Sequence, residues 1–447
     1  LANGAADTFA LGGAVDGNFD ISTLGTAEQF RGFDSFEKTG SSTWTLTGNS
    51  SFSGAMSINE GTLSVSSASN FGGTSGGLQF AGGTLATTAS FDSNRMVGLA
   101  SSGRLDVASG TTLGLTGTVE GAGDLIKLGA GTLELHGHNA YGDTRVEDGT
   151  LVGDASSISG MIGNAGTVVF DQNVNAEFAG DIVGLGGTEG AMRKAGTGVL
   201  TLSGASTLDW TVEAGYLVSS TQQFGGDVEI VSGANFAFEQ ATAGAYGGTI
   251  SGGGNLSISG GESVLLTGDS SAFSGVTNVF NTNLIVNEAL GGSAVFGQGG
   301  TLSGGGTIGS GSGSTITLAN GGVLAPGNSI GKLTVDGDLV FDAGSRYDVE
   351  VAPGGNESDL VAVNGLVTIN GGSVAHIGMT GTYDPASAYT ILTAVGGISG
   401  EFDPDNVTSK FAFLDPSLEY TANSIILNLD RIDVGFVDVG RTRNQRA

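Results

Sequence analysis

The stretch LTGDSSAFSG, residues 266–275, contains Gly268-Asp269-Ser270, an order found in the nucleophile loops of several serine hydrolases. A serine in that role needs a base within hydrogen-bond reach and a third group to orient the base. The chain has three histidines, His136, His138 and His376, and no recognisable motif joins any of them to Ser270. His136 and His138 stand two apart at a strand end, hence on one face, with Asp143 nearby, and such a trio is within the range of zinc ligands. The plainer reading is a polar turn with two surface histidines. Glu60 and Asp148 precede a repeated glycine, and Glu213 comes one place earlier in its copy. Several coils apart, they are too distant for the paired carboxylates of a glycosidase and read as solvated turn positions. Leu105-Asp106-Val107 matches a short integrin-binding tripeptide, which chance also produces. Trp44 and Trp210 sit in alternating stretches where packing is the default. Cysteine is absent, which removes disulfides, thiolate zinc sites and cysteine nucleophiles. No Gly-Gly-x-Gly-x-Asp array is present, so a calcium-binding roll is not expected. We therefore assign no catalytic, cofactor-binding or metal-ligating residue from sequence.

The elements that carry these residues recur. FEKTGSSTWTLTGNSSFSGAMSINEGTLSV from Phe36, LIKLGAGTLELHGHNAYGDTRVEDGTLVG from Leu125, MRKAGTGVLTLSGASTLDWTVEAGYLVS from Met192 and LSISGGESVLLTGDSSAFSGVTNVFNTNLIV from Leu256 align with one another. Each runs from a Gly-rich turn through an alternating strand to a polar turn and further strands. Gly268-Asp269-Ser270-Ser271 falls where the first copy has Gly48-Asn49-Ser50-Ser51 and the second has Gly137-His138-Asn139-Ala140. Ser270 is accordingly expected in a turn, where Gly and Asx residues supply positive φ and local hydrogen bonds.

Taking Lys38, Lys127, Lys194 and Gly260 as equivalent, the copies stand 89, 67 and 66 residues apart, close to four, three and three coils of about 22 residues. That coil length, with strands of four or five residues, predicts an all-β, single-stranded, right-handed parallel β-helix of about 20 rungs, closed by a C-terminal capping segment. An antiparallel sandwich or a string of small β domains would call for hairpin turns and Pro/Ser-rich linkers. Five prolines in 447 residues provide no such linkers.

Composition agrees. With 83 glycines, 39% apolar residues and 13% charged residues, the chain is turn-rich yet able to bury a core. A net charge of −29 argues against nucleic acid and anionic membranes as partners. No stretch approaches the roughly 20 apolar residues of a membrane helix, so direct membrane insertion is not expected.

After Gly300 the pattern changes. GGVLAPGNSIGKLTVDGDLVF, Gly321 to Phe341, resembles the boundary motif of autotransporter passenger domains, the exported part of type V secretion proteins. SDLVAVNGLVTINGG, Ser358 to Gly372, and YTILTAVGGISGEFD, Tyr389 to Asp403, resemble the segments that follow it. The four copies resemble the passenger-associated repeat, most fully in Lys127 to Leu151. FVDVGRTRNQRA, at the end of the chain, resembles a linker into an outer-membrane barrel.

The resemblance implies a repeat-bearing β-helix over 1–300, an autochaperone region over 301–430 that folds first, and the start of a barrel linker over 431–447. Phe402, Phe411 and Phe413 are candidates to cap the open end. It also implies display on, or release from, a Gram-negative cell, as a passenger excised from a longer precursor. The function expected on these grounds is adhesion or self-association. Partners would be a host cell surface or matrix, another passenger, and the barrel of the same precursor. A non-adhesive stalk and a polysaccharide- or ester-cleaving β-helix enzyme are the alternatives.

Overall fold

The computed structural model describes residues 6–73, 76–355, 357–378, 380–384 and 386–432. Its contacts divide the chain into two compact units, Leu1–Val218 with Gln223–Asp227, and Ser219–Gln222 with Val228–Ala447. Most of the barrel-linker segment, 433–447, lies outside the described residues. No helix among the described residues is long and apolar enough to cross a membrane.

The first unit coils through three main stacks of parallel strands, and Ala176–Phe178 and Val199–Leu202 begin a fourth. One runs from Thr8–Leu11 through Ser35–Lys38 and Ala55–Ile58 to Val119–Gly121, and a second from Gly17–Asp20 through Thr43–Thr47 and Leu125–Leu128 to Ile182–Gly184. The third rises from Phe91–Ser93 through Thr112–Leu115, Thr132–Leu135, Thr150–Gly153, Thr167–Asp171 and Ala191–Ala195 to Trp210–Val212. Alternate side chains point inward, so in-register pairing stacks them in columns. On the third face the column is Leu113, Leu133, Leu151, Val168, Met192 and Trp210, all buried. Each such residue contributes about 1.5–3 kcal/mol through burial.

The second unit repeats the plan. Its faces include the strands from Asn235–Glu239 to Ile398–Gly400, those from Gly244–Tyr246 to Val407–Ser409, and those from Ala289–Leu290 to Ala386–Ala394. There the parallel order stops. Ser424–Arg431 pairs antiparallel with both Ala386–Ala394 and Leu414–Tyr420, burying Ile425, Leu427 and Leu429. The outer strand of this hairpin carries Pro416 between exposed Asp415 and Ser417, with Glu419 also exposed. A proline and charges on an edge discourage further strand addition. Of the three expected capping aromatics, Phe402 is buried 4.9 Å from the Phe341 ring and Phe411 packs on His376 and Tyr383, whereas Phe413 is exposed.

The chain is thus the expected all-β parallel β-solenoid, with somewhat fewer turns than the 20 or so anticipated from sequence. A uniform coil overlooks the spread in turn length: Thr144 pairs with Ile162, 18 residues on, Thr8 with Ser35, 27 on, and Val361 with Leu392, 31 on. The C-terminal hairpin also uses chain without coiling.

The alignment of the fourth copy needs correcting by two residues. Gly40, Gly129 and Gly196 have φ of 66°, 70° and 73°, and Gly260 shares their positive φ. Gly260 therefore corresponds to these glycines, and the counterpart of Lys38, Lys127 and Lys194 is the buried Ile258.

Candidate functional site

The outward positions of the stacked strands form regular surfaces. On the third face of the first unit Thr112, Thr132, Thr150 and Thr167 lie in register on four successive turns. Parallel strands lie about 4.8 Å apart, so these half-buried hydroxyl-bearing side chains form a regular ladder. Beside it runs the column Gly114, Glu134, Val152, Val169 and Arg193. On the second face Arg104, Ile126 and Arg145 stack outward, and Arg104 reaches Glu147 at 3.7 Å. A strongly acidic chain therefore presents strips where cations and carboxylates are locally balanced.

The second unit has a cleft of about 310 Å³. Its floor is a column of outward residues, Ile285, Ser303, Ala325 and Asp348, from four successive turns, and Pro326–Ser329 forms part of its rim. Those rim residues belong to the PGNSIG run. Asp359 fixes that loop: one carboxylate oxygen accepts from Gly331 N at 2.9 Å and the other from Glu350 N at 2.8 Å. Asp348 is held by Arg346 through two bonds of 2.6 and 2.7 Å. Asp359 and Asp348 thus serve the loop and an ion pair, while Glu350, which also lines the cleft, adds like-charge repulsion at Asp359.

The residues singled out from sequence are dispersed. Ser270 is buried in the expected turn, where its hydroxyl accepts from Ile250 N at 2.9 Å. His136 and His138 are exposed; His136 contacts Glu134 at 3.4 Å, while Asp143 accepts from Met161 N. No cluster of metal-ligating side chains is found among the described residues. Leu105 and Val107 are buried within Gly103–Val107, so the tripeptide offers a partner only Asp106. Trp210 is buried, stacks 5.9 Å from Phe170 and donates to Ser206 Oγ. Trp44 is half-buried and donates to Gly12 O.

Sequence reasoning used three lysines as markers and missed their part in the structure. Lys38, Lys127 and Lys194 are fully buried. Lys127 Nζ donates to Leu128 O at 2.8 Å, Gly129 O at 2.6 Å and, from the next turn, Asp148 O at 3.2 Å. Lys38 does the same with Thr39, Gly40 and Glu60, and Lys194 with Ala195, Gly196 and Ala214. Three donors meet three carbonyls, two from the lysine's own turn and one from the next. Glu60, Asp148 and Ala214 take part through their backbone oxygens, which explains why the acidic position drifts among the copies. Burial pushes Lys127 and Lys194 down to about 8. The available signal was parity: Phe36/Lys38, Leu125/Lys127 and Met192/Lys194 share the inward phase of their strands.

A family model, the passenger-associated-transport-repeat, matches residues 36–65, 125–152 and 192–218, the three segments that hold these lysines. The chain is an autotransporter passenger. The fourth copy, where isoleucine replaces the lysine, lies outside those matches. The passenger is 33% identical over 208 residues to an extracellular serine protease of Serratia marcescens, covering 44% of this chain and 19% of that protein. It is 34% identical over 209 residues to the adhesin BmaC autotransporter of Brucella suis biovar 1, covering 46% of this chain and 6% of that protein. It thus spans a fifth or less of the length of these relatives. Its place is the surface, or the surroundings, of a Gram-negative cell.

One serine and histidine do meet in the passenger. His376 Nδ1 lies 3.0 Å from Ser409 Oγ, and its Nε2 lies 3.3 Å from the Tyr383 hydroxyl. Burial, with Lys410 adding repulsion, pushes His376 down to about 4. A base that weak is poorly matched to a serine proton near neutral pH, and Ser409 Oγ already accepts from Phe411 N. The cluster ties two paired strand ends, at His376 and Ser409, to Tyr383.

Asp359 is displaced the other way, up to about 7, chiefly by burial. Its native form holds a proton that the unfolded chain releases near 3.8, so its stabilising contribution is full below that pH and is lost as pH rises through 7. His376 contributes stability that is full above 6.5 and is lost as pH falls through 4. The two oppose each other across the shared window. In a His376→Phe passenger, the unfolding midpoint of the second unit should rise more steeply on acidification from pH 7 to 4 than in wild type, as read by thermal denaturation.

Proposed function

We propose that this passenger is a non-enzymatic adhesive or self-associating segment, binding host cells, host matrix or another passenger through its outward ladders. The observation that carries this reading is the in-register column Thr112, Thr132, Thr150 and Thr167, next to strips where Arg104, Arg145 and Arg193 offset the acidic surface. Repeated weak contacts along such a ladder add by effective concentration and need no pocket. The adhesin relative supports this reading. The protease relatives favour a second one, in which this segment supports an active domain elsewhere in a longer chain.

Residues 301–430 would act as the region that folds first during export, and the precursor's own barrel would be a transient partner. The test is to display residues 1–447, fused to a barrel, on a non-adherent bacterium and follow settling and epithelial attachment against a barrel-only control. Clumping or attachment is expected, and Thr132→Arg with Thr150→Arg should reduce it several-fold without changing surface yield. No gain over control at confirmed display would remove the adhesive reading.

A further inference from the structure

Asn-Gly pairs occur among the described residues at Asn320-Gly321, Asn364-Gly365 and Asn370-Gly371; a fourth, Asn3-Gly4, lies outside them. All three asparagines are exposed. In such a pair the glycine nitrogen can close on the asparagine side-chain carbonyl carbon, since no Cβ hinders the approach and the glycine backbone adapts freely. Closure requires that nitrogen to leave whatever acceptor it has.

Two of the pairs are held. Gly321 N donates to Gly344 O at 3.0 Å, and Gly365 N donates to Gly337 O at 2.9 Å. The turn at Gly365 is further tied by Leu366 N on Asp338 Oδ1, 2.8 Å away. Gly371 differs, because its N–H meets no acceptor among the described residues. It is followed by Gly372, with φ of 131° and 100° at the two positions, so this turn has no side chain to stiffen it. The Asn370 side-chain nitrogen, which would become the leaving group, donates to Asp342 Oδ1 at 3.1 Å and holds the amide in one orientation.

We propose that Asn370 is a site of spontaneous self-modification, deamidating selectively through Gly371. Gly371 N bonds to the Asn370 side-chain carbonyl carbon, the bond from that carbon to the amide nitrogen breaks, and ammonia leaves with the proton from Gly371 N. Water then opens the five-membered imide at either carbonyl, leaving aspartate or an isoaspartyl link. The net change is amide plus water to acid plus ammonia, and no redox partner is needed. The product carboxylate faces Asp342, and an isoaspartyl link adds a backbone atom to a turn whose neighbour, Gly372, accepts from Asp403 N at 3.3 Å. Ageing would therefore add negative charge and loosen this one turn of an exported chain.

The full chain, aged at body temperature in mildly alkaline buffer, would be digested and mapped by mass spectrometry with isoaspartyl-specific labelling. Asn370 should convert several-fold faster than Asn320 and Asn364, and in urea the three should converge, because unfolding frees all three glycine nitrogens. Equal native rates, faster reaction at Asn320 or Asn364, or a preference that persists in urea would each overturn the proposal.

Discussion

Replacing Lys127 with methionine is expected to destabilise the first unit by about 1–3 kcal/mol, the range for removing a donor from acceptors that then go unsatisfied. Methionine keeps most of the apolar stem, so the loss isolates the ammonium. The carbonyls of Leu128, Gly129 and Asp148 would lose this donor. Because Asp148 belongs to the following turn, the damage should cross from one turn to the next. Hydrogen exchange should accelerate over 125–153 before the rest of the unit opens. Lys127→Arg should not restore stability, since a flat guanidinium fork does not match three carbonyls converging on a point. A wild-type exchange pattern in the methionine variant would show that the cage is dispensable.

The second large effect is expected at the closed end of the second unit. Leu427 is fully buried, and its strand pairs with Ala386–Ala394 on one side and Leu414–Tyr420 on the other. Leu427→Asp would bury a carboxylate with no partner, a change that costs at least 4 kcal/mol or so. In a stack where each turn rests on its neighbours, loss of the terminal hairpin exposes the next turn, and opening should spread inward. Limited proteolysis should cut first within 360–430 and proceed toward lower numbers. If 301–430 is the segment that folds first, surface yield from a barrel fusion should also fall well below that of Lys127→Met. Equal yields for the two variants would argue against that order of folding.

The architecture was legible because strand periodicity and repeated glycine turns are local signals: Thr132–Leu135 alternates, and Gly268-Asp269-Ser270 aligns with other turns. Ser270 could be placed at a turn for that reason. The number of turns was less legible, since loops such as the one between Val351 and Ser358 add residues without adding a rung. The cleft was hidden because its floor comes from Ile285, Ser303, Ala325 and Asp348, separated by whole turns with no shared motif. The lysine cages lay between these cases. Their inward parity was visible, but a buried lysine contradicts the usual preference of that side chain for solvent. Its backbone acceptors leave no trace in residue identity.

The three caged lysines of the first unit also differ in where they stand. Lys38 is in the stack that begins at Thr8–Leu11, Lys127 in the stack that begins at Gly17–Asp20, and Lys194 in the stack that begins at Phe91–Ser93. The same sequence element has been placed on each side of a triangular cross-section in turn, so the copies are not separated by whole coils. Each of the three sides thus accepts the unit. Gain or loss of one copy would then leave the core intact while rotating every later surface to a new bearing, so duplication alone could change which strip faces a partner.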